Sequence, residues 1–182
     1  MDEKILLNHQ DIDLTITRLC WELIENHDEF AELCLIGLQP RGVFFADRIV
    51  EKLSELTDTS SLSYGKLDIT FFRDDFRRRE DMLIANQTDI SFQIENKSVV
   101  FIDDVLFTGR SIRSALNAIG SFGRPKRIEL MTLINRRFSR ELPIFPKYIG
   151  REVDAIDSER VKVSWASEKE EKDFVSILKT GK

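Results

Sequence analysis

The stretch from Val99 to Ser111, Val-Val-Phe-Ile-Asp-Asp-Val-Leu-Phe-Thr-Gly-Arg-Ser, constrains this chain more than any other. Its four leading apolar residues, Val99 to Ile102, read as a strand buried on both faces that stops at two adjacent carboxylates, Asp103 and Asp104. A short loop through Thr108, Gly109, Arg110 and Ser111 follows, and then a helical pattern with Ile112, Ala115, Leu116 and Ile119 on one face. Helix-start N–H groups, a glycine that permits close backbone approach and two hydroxyls together form a site for a phosphate monoester. The neighbouring carboxylates suit the other end of such a ligand, accepting hydrogen bonds from ribose hydroxyls directly or around a Mg2+. An ordinary strand ending in two solvated acids leaves the doubled acid and the Thr-Gly-Arg-Ser run unexplained.

At 182 residues the chain suits a single domain, 1–182, able to bury its own core. No apolar stretch approaches the roughly 18 residues of a membrane span. The apolar run after Met1-Asp2-Glu3-Lys4 is too short for a secretory signal, so the expected location is cytoplasmic. Cys20 and Cys34 lack metal-ligand spacing and sit in apolar patterns, as reduced core thiols do. A net charge of −5 argues against a generally basic nucleic-acid binder while leaving room for a local basic face. His9 and His27 are isolated and read as surface residues.

Along the chain, Ile12, Ile16, Leu19 and Leu23 recur at helical spacing and predict a helix over 11–26, with Asn8 among the plausible caps. Leu33 to Gly37 reads as the first buried strand, ending in the turn-rich Leu38-Gln39-Pro40-Arg41-Gly42 at the sheet edge where α/β ligands bind. A helix follows over 42–56, and Lys66 to Phe72 alternates as a strand. The run from Arg73 to Asp81 is densely charged, as either a solvated loop or a cationic flap that excludes water from a site. Ile128 to Ile134 is a further buried strand, Val161 to Trp165 another, and a short helix is expected near 169–178. Strands alternating with helices at this spacing predict an α/β fold with a mainly parallel sheet flanked by helices.

Residues 99–111 resemble the phosphoribosyl-pyrophosphate (PRPP) signature of type I phosphoribosyltransferases. That resemblance implies their fold, with a core over about 28–134, a mobile flap over about 73–92, and a small hood built from the N-terminal segment and about 135–182. It also implies that Pro40 and Arg41 face the pyrophosphate, and that Val105, Leu106, Phe107, Thr108, Gly109, Arg110 and Ser111 hold the 5-phosphate. Asp103 and Asp104 would lie at the ribose and its Mg2+, as catalytic residues together with Arg73 of the flap. Further matches are Asp68-Ile69-Thr70, Phe72-Arg73-Asp74-Asp75, Gly123-Arg124-Pro125, Arg140-Glu141-Leu142-Pro143-Ile144 and Tyr148-Ile149-Gly150. With these, the chain is similar over nearly its whole length to the bifunctional pyrimidine operon attenuator and uracil phosphoribosyltransferase family. Members of that family convert uracil and PRPP to UMP and pyrophosphate. With UMP bound, they bind pyrimidine operon mRNA.

The resemblance implies a homo-oligomer, a base site near Asn135 and Arg136, and an RNA face including Thr17, Arg18, Arg140 and Arg151. The chain departs from the family at Asn135, where Asp is usual, at Arg137 for Gly, at Trp21 for His and at Phe145 for a basic residue. Trp21 is either a stacking platform for a base or a packing or oligomer contact. Two alternatives stay open beside the uracil enzyme: an RNA-binding attenuator whose catalysis is secondary, and a purine-type phosphoribosyltransferase on the same fold.

Overall fold

The computed structural model describes residues 3–72, 87–156, 158–166 and 172–179. Within them, five strands form a parallel sheet in the order β3-β2-β4-β5-β6: β2 Leu33–Gln39, β3 Ser63–Asp68, β4 Ser98–Leu106, β5 Arg127–Arg136 and β6 Tyr148–Val153. The central strands carry apolar side chains on both faces, because helices cover both. On one face Leu33, Leu35, Val100 and Ile102 pack with helices α1 (His9–Asn26) and α2 (Gly42–Leu56). On the other, Cys34, Ile36, Val99 and Phe101 pack against helix α3 (Arg110–Ile119). Both cysteines are free and buried, and burial pushes the Cys20 thiol up to about 12. None of the described helices is long and apolar enough to cross a membrane.

Helix α2 occupies the predicted range, and α1 begins two residues earlier than predicted. Its start is set by a capping box: the Asn8 side chain accepts from the Asp11 N–H, and the Asp11 carboxylate accepts from the Asn8 N–H. Strand β4 does not stop at the paired acids. Its ladder with β5 continues through Asp103↔Thr132 and Val105↔Ile134, so both carboxylates project from strand backbone. Leu116 is 42% exposed, and the buried face of α3 is completed by Ala118 in its place.

The expected strand over 66–72 is displaced towards the N-terminus. Strand β3 begins at Ser63, and Asp68 Oδ1 accepts from both the backbone and the hydroxyl of Thr70, bending the chain into a single 3-10 turn over Thr70–Phe72. The expected C-terminal helix is also corrected. Residues Phe174–Lys179 form strand β8, paired antiparallel on one side with β1 (Glu3–Leu7) and on the other with β7 (Glu159–Ser164). A β-rich Phe-Val-Ser-Ile-Leu segment gains two ladders and buries Val175 completely there, which a short isolated helix cannot match.

His27 is buried, in contrast to its expected surface position. It ends α1, and its Nε2 lies 3.1 Å from both Glu129 Oε2 and the Tyr148 hydroxyl. His9 is exposed. The flap residues 73–86, Arg73 among them, fall outside the described residues.

Candidate active site

The carboxyl ends of β2, β4 and β5 converge on one edge of the parallel sheet. Asp104 is buried, and Arg41, in the turn between β2 and α2, places Nε 3.0 Å from Asp104 Oδ2. The other arm of the Arg41 guanidinium donates to the Val163 carbonyl of β7. The small antiparallel sheet therefore holds the arginine that holds the acid. Burial raises the Asp104 carboxyl above the ordinary carboxylate range, against the opposing pull of Arg41. Asp103 is half-buried, and its Oδ1 accepts from the Asp104 N–H at 3.0 Å.

Close approach of α2 to this tip depends on Gly42. A Cβ there would lie 2.5 Å from the Ile102 carbonyl oxygen and 3.0 Å from Asp103 Cα, both of them backbone atoms of β4.

Beyond the acids, Gly109 takes φ +92° and starts α3, a conformation that other residues rarely adopt. The loop bounds a cavity of about 300 Å³ whose walls include Asp103, Thr108, Gly109, Arg110, Ser111 and Glu141. The Arg110 N–H donates to Thr108 Oγ1 at 3.3 Å, curling the loop around the helix start. First-turn N–H groups and two hydroxyls at one cavity wall match an anion of phosphate size. Glu141 pairs with Arg110, Nε to Oε2 at 2.7 Å, so this wall is charge-compensated before any ligand arrives.

Asn135 and Arg136 end β5 and are both buried. The Asn135 amide is oriented from two sides: Nδ2 donates to Glu152 Oε1 at 3.1 Å, and Oδ1 accepts from Arg140. The Arg136 guanidinium carbon lies 4.0 Å from the Phe107 ring centroid, and Nη2 donates to the Ile156 carbonyl at 3.3 Å. Arg137, at the second departure, makes a two-bond pair with Asp154.

The structure thus brings Arg41, Asp103, Asp104 and the 105–111 loop to one edge, with Asn135 and Arg136 joined to that loop through Phe107 and Arg140. Pro40 stands beside Arg41, joined to Gln39 by a cis peptide. The four residues of the expected RNA face are held by different partners. Arg18 donates to the Ile149 and Gly150 carbonyls at 2.8 Å each, next to Arg151, which donates to the Leu6 carbonyl at 2.6 Å. Thr17 donates to the Asp13 carbonyl within α1, and Trp21 is 47% exposed. Arg140 donates to the Phe107 carbonyl and to Asn135 Oδ1, and burial lowers its pKa. Glu141, Glu152 and the Val163 carbonyl went unforeseen. Glu141 lies in the Arg-Glu-Leu-Pro motif and Val163 in an expected strand, but cross-strand partners leave no local signal.

The chain matches the phosphoribosyl transferase domain family over residues 2–168. It is 38% identical to the bifunctional protein PyrR of Elusimicrobium minutum, over 97% of each chain. It is 42% identical to the bifunctional protein PyrR of a Roseiflexus species, over 88% of this chain and 87% of that one. Among solved structures, a hypoxanthine-guanine phosphoribosyltransferase of Bacillus anthracis superposes with a TM-score of 0.72 over 97% of this chain and 98% of that one, at 13% identity. A hypoxanthine phosphoribosyltransferase of Staphylococcus aureus gives 0.65 over 84% and 80%, at 23% identity. At those identities the likeness is one of fold.

Proposed function

We propose, from the premise that this chain belongs to the phosphoribosyl transferase family and to its bifunctional PyrR branch, that it transfers the phosphoribosyl group of PRPP to uracil, giving UMP and pyrophosphate. The observation that carries this reading is the sheet edge where Asp103 and the Gly109-initiated loop line one cavity and the Arg41–Asp104 pair stands at the adjoining strand end. The loop 105–111 takes the 5-phosphate on the start of α3, with Thr108 and Ser111 supplying hydroxyls. Asp103 and Asp104 accept from the ribose hydroxyls. Arg41, with Pro40 beside it, offers a guanidinium to the pyrophosphate, a change of partner that releases Asp104 to the ribose. Uracil enters beside Asn135 and Arg136, against the Phe107–Arg136 wall.

Among the described residues no three His, Cys, Asp or Glu side chains cluster as metal ligands. Two adjacent carboxylates joined by substrate oxygens fit Mg2+, which is commonly held by one or two carboxylates together with phosphates. Asp103 and Asp104 would hold Mg2+ together with substrate oxygens, and the ion when bound would neutralise charge on the pyrophosphate. Acceleration at the anomeric carbon, whose displacement is oxocarbenium-like, comes from positioning and leaving-group stabilisation. Arg73 belongs to this reading as a flap residue that covers the pyrophosphate. The purine alternative, prompted by Asn135, is less supported: the purine enzymes among the solved structures match in fold alone, whereas the PyrR relatives match at 36–42% identity.

A second function is carried by Arg18, Arg151 and the exposed Trp21 around α1 and β6: binding of pyrimidine operon mRNA when UMP is present, by a homo-oligomer. Purified protein supplied with PRPP, Mg2+ and uracil tests the first function, with stoichiometric UMP and pyrophosphate expected. No UMP would refute it. UMP-enhanced, salt-sensitive retention of the protein's own operon leader tests the second, and retention indifferent to UMP would refute that.

A further inference from the structure

The phosphate loop is fastened from outside itself. Arg140, in the segment between β5 and β6, donates to the Phe107 carbonyl, to Asn135 Oδ1 and, at 3.5 Å, to the Arg136 carbonyl. The next residue repeats the pattern: the Glu141 N–H donates to the Thr108 carbonyl at 3.0 Å, and its carboxylate pairs with Arg110. Leu142 and Ile144 close the back of the loop, 3.4 and 3.3 Å from where a Cβ on Gly109 would stand. Residues 107, 108, 109 and 110 are thus each tied to or packed against residues 140–144. One guanidinium reaches both the phosphate loop and the amide that ends β5. A loop carrying its glycine at φ +92° needs such bracing to present its N–H groups in a fixed array.

We propose that Arg140 is a positioning residue for the transferase reaction: it preorganises the 107–111 loop for the 5-phosphate and couples that loop to the base end through Asn135. The role rests on the donor site proposed above. It assigns Arg140 to the active site in place of the RNA face. A planar fork serves several acceptors on separate segments, which a lysine ammonium at the same place does not.

The test uses Arg140→Lys, which keeps the charge and the apolar stem, and Arg140→Gln. Calorimetric titration with Mg-PRPP and, separately, with Mg-pyrophosphate is combined with KM and kcat for UMP formation. Expected for both variants is a PRPP Kd raised about tenfold, the scale of losing one charge-assisted hydrogen bond. Pyrophosphate affinity stays within twofold, because Arg41 and Asp104 are held by separate contacts. KM for PRPP and for uracil both rise while kcat changes little, and millimolar guanidinium restores PRPP affinity to an Arg140→Ala variant. The binding arm is read on PRPP alone, so it decides the role of Arg140 whichever base is the acceptor. Variants that bind PRPP within twofold of the wild type overturn the proposal. So do variants that lose PRPP and pyrophosphate affinity in parallel, which marks a general structural defect. Wild-type protein that fails to bind PRPP overturns the donor site and this proposal with it.

Discussion

Replacing Gly42 with alanine tests whether the approach of α2 to the β4 tip sets the catalytic geometry. The new Cβ would meet the Ile102 carbonyl oxygen at 2.5 Å. A close carbon–oxygen contact is about 3.3 Å, so the two must separate by roughly 0.8 Å. Strand β4 cannot yield, because Ile102 is paired with Gly37 of β2 and Met131 of β5 in the middle of the sheet. The start of α2 must therefore move, and Arg41, one residue before Gly42, moves with it. A shift of that size breaks the 3.0 Å contact between Arg41 Nε and Asp104 Oδ2. Misplacement of about 1 Å at reacting groups costs on the order of 10²-fold in rate. Overpacking adds about 1–3 kcal/mol of destabilisation, each kcal/mol lowering Tm by about 2–4 °C in a domain of this size. The assay is kcat/KM for PRPP at 25 °C, with the melting curve showing that the variant is folded at that temperature. A folded Gly42→Ala protein with kcat/KM within threefold of the wild type would refute the reasoning.

Three further outcomes follow from the same geometry. Asp104→Asn should leave Tm unchanged or raise it, because a carboxyl whose pKa burial has raised weakens the fold while charged; kcat/KM should fall on the order of 10²-fold. A large loss of Tm in that variant would show the Arg41 pair to be a net stabiliser instead. Burial holds the His27 imidazole below its ordinary value of 6.5, with Glu129 opposing. The unfolded chain therefore takes up the proton first, and stability should fall as pH drops through 6.5 towards the lower folded value. His27→Gln should flatten that slope in denaturant titrations between pH 7 and pH 5, and an unchanged slope contradicts the assignment. Below this window a second loss is expected from Glu129. Burial acts to raise its pKa, but hydrogen bonds from Lys147, Tyr148 and His27 outweigh burial and hold it below 4.5, so its contribution is lost as pH falls through that lower value and Glu129→Gln should remove the step.

Those parts of the fold that repeat along the chain were legible in it. Val99 to Ile102 and Leu33 to Gly37 are apolar on both faces because helices cover both, and α2 shows its buried stripe without interruption. What the sequence concealed depends on partners far away in the chain. The end of β4 is decided by its ladder with β5, so two acids that look like a terminus lie within a strand. Strand β8 is stabilised by β1 and β7 together, and neither is visible from Phe174–Lys179 alone. His27 looks isolated because Glu129 and Tyr148 are over 100 residues away.

The stretch 99–111 is contiguous in the chain, so its acids, glycine and hydroxyls are all visible in sequence. The contacts that hold it, from Arg140 to Phe107 and from Arg41 to Val163, join separate elements, and no periodicity or motif encodes them. Arg140 illustrates the difference: its motif was visible and its partners were not.

PRPP held in this cradle is proposed to react with uracil. The most direct measurement supplies the protein with Mg2+, PRPP and an equimolar mixture of uracil, hypoxanthine and guanine, and resolves the nucleotides formed by chromatography. UMP is expected as the product, with pyrophosphate in equal amount. Formation of IMP or GMP without UMP, or of no nucleotide at all, would contradict it.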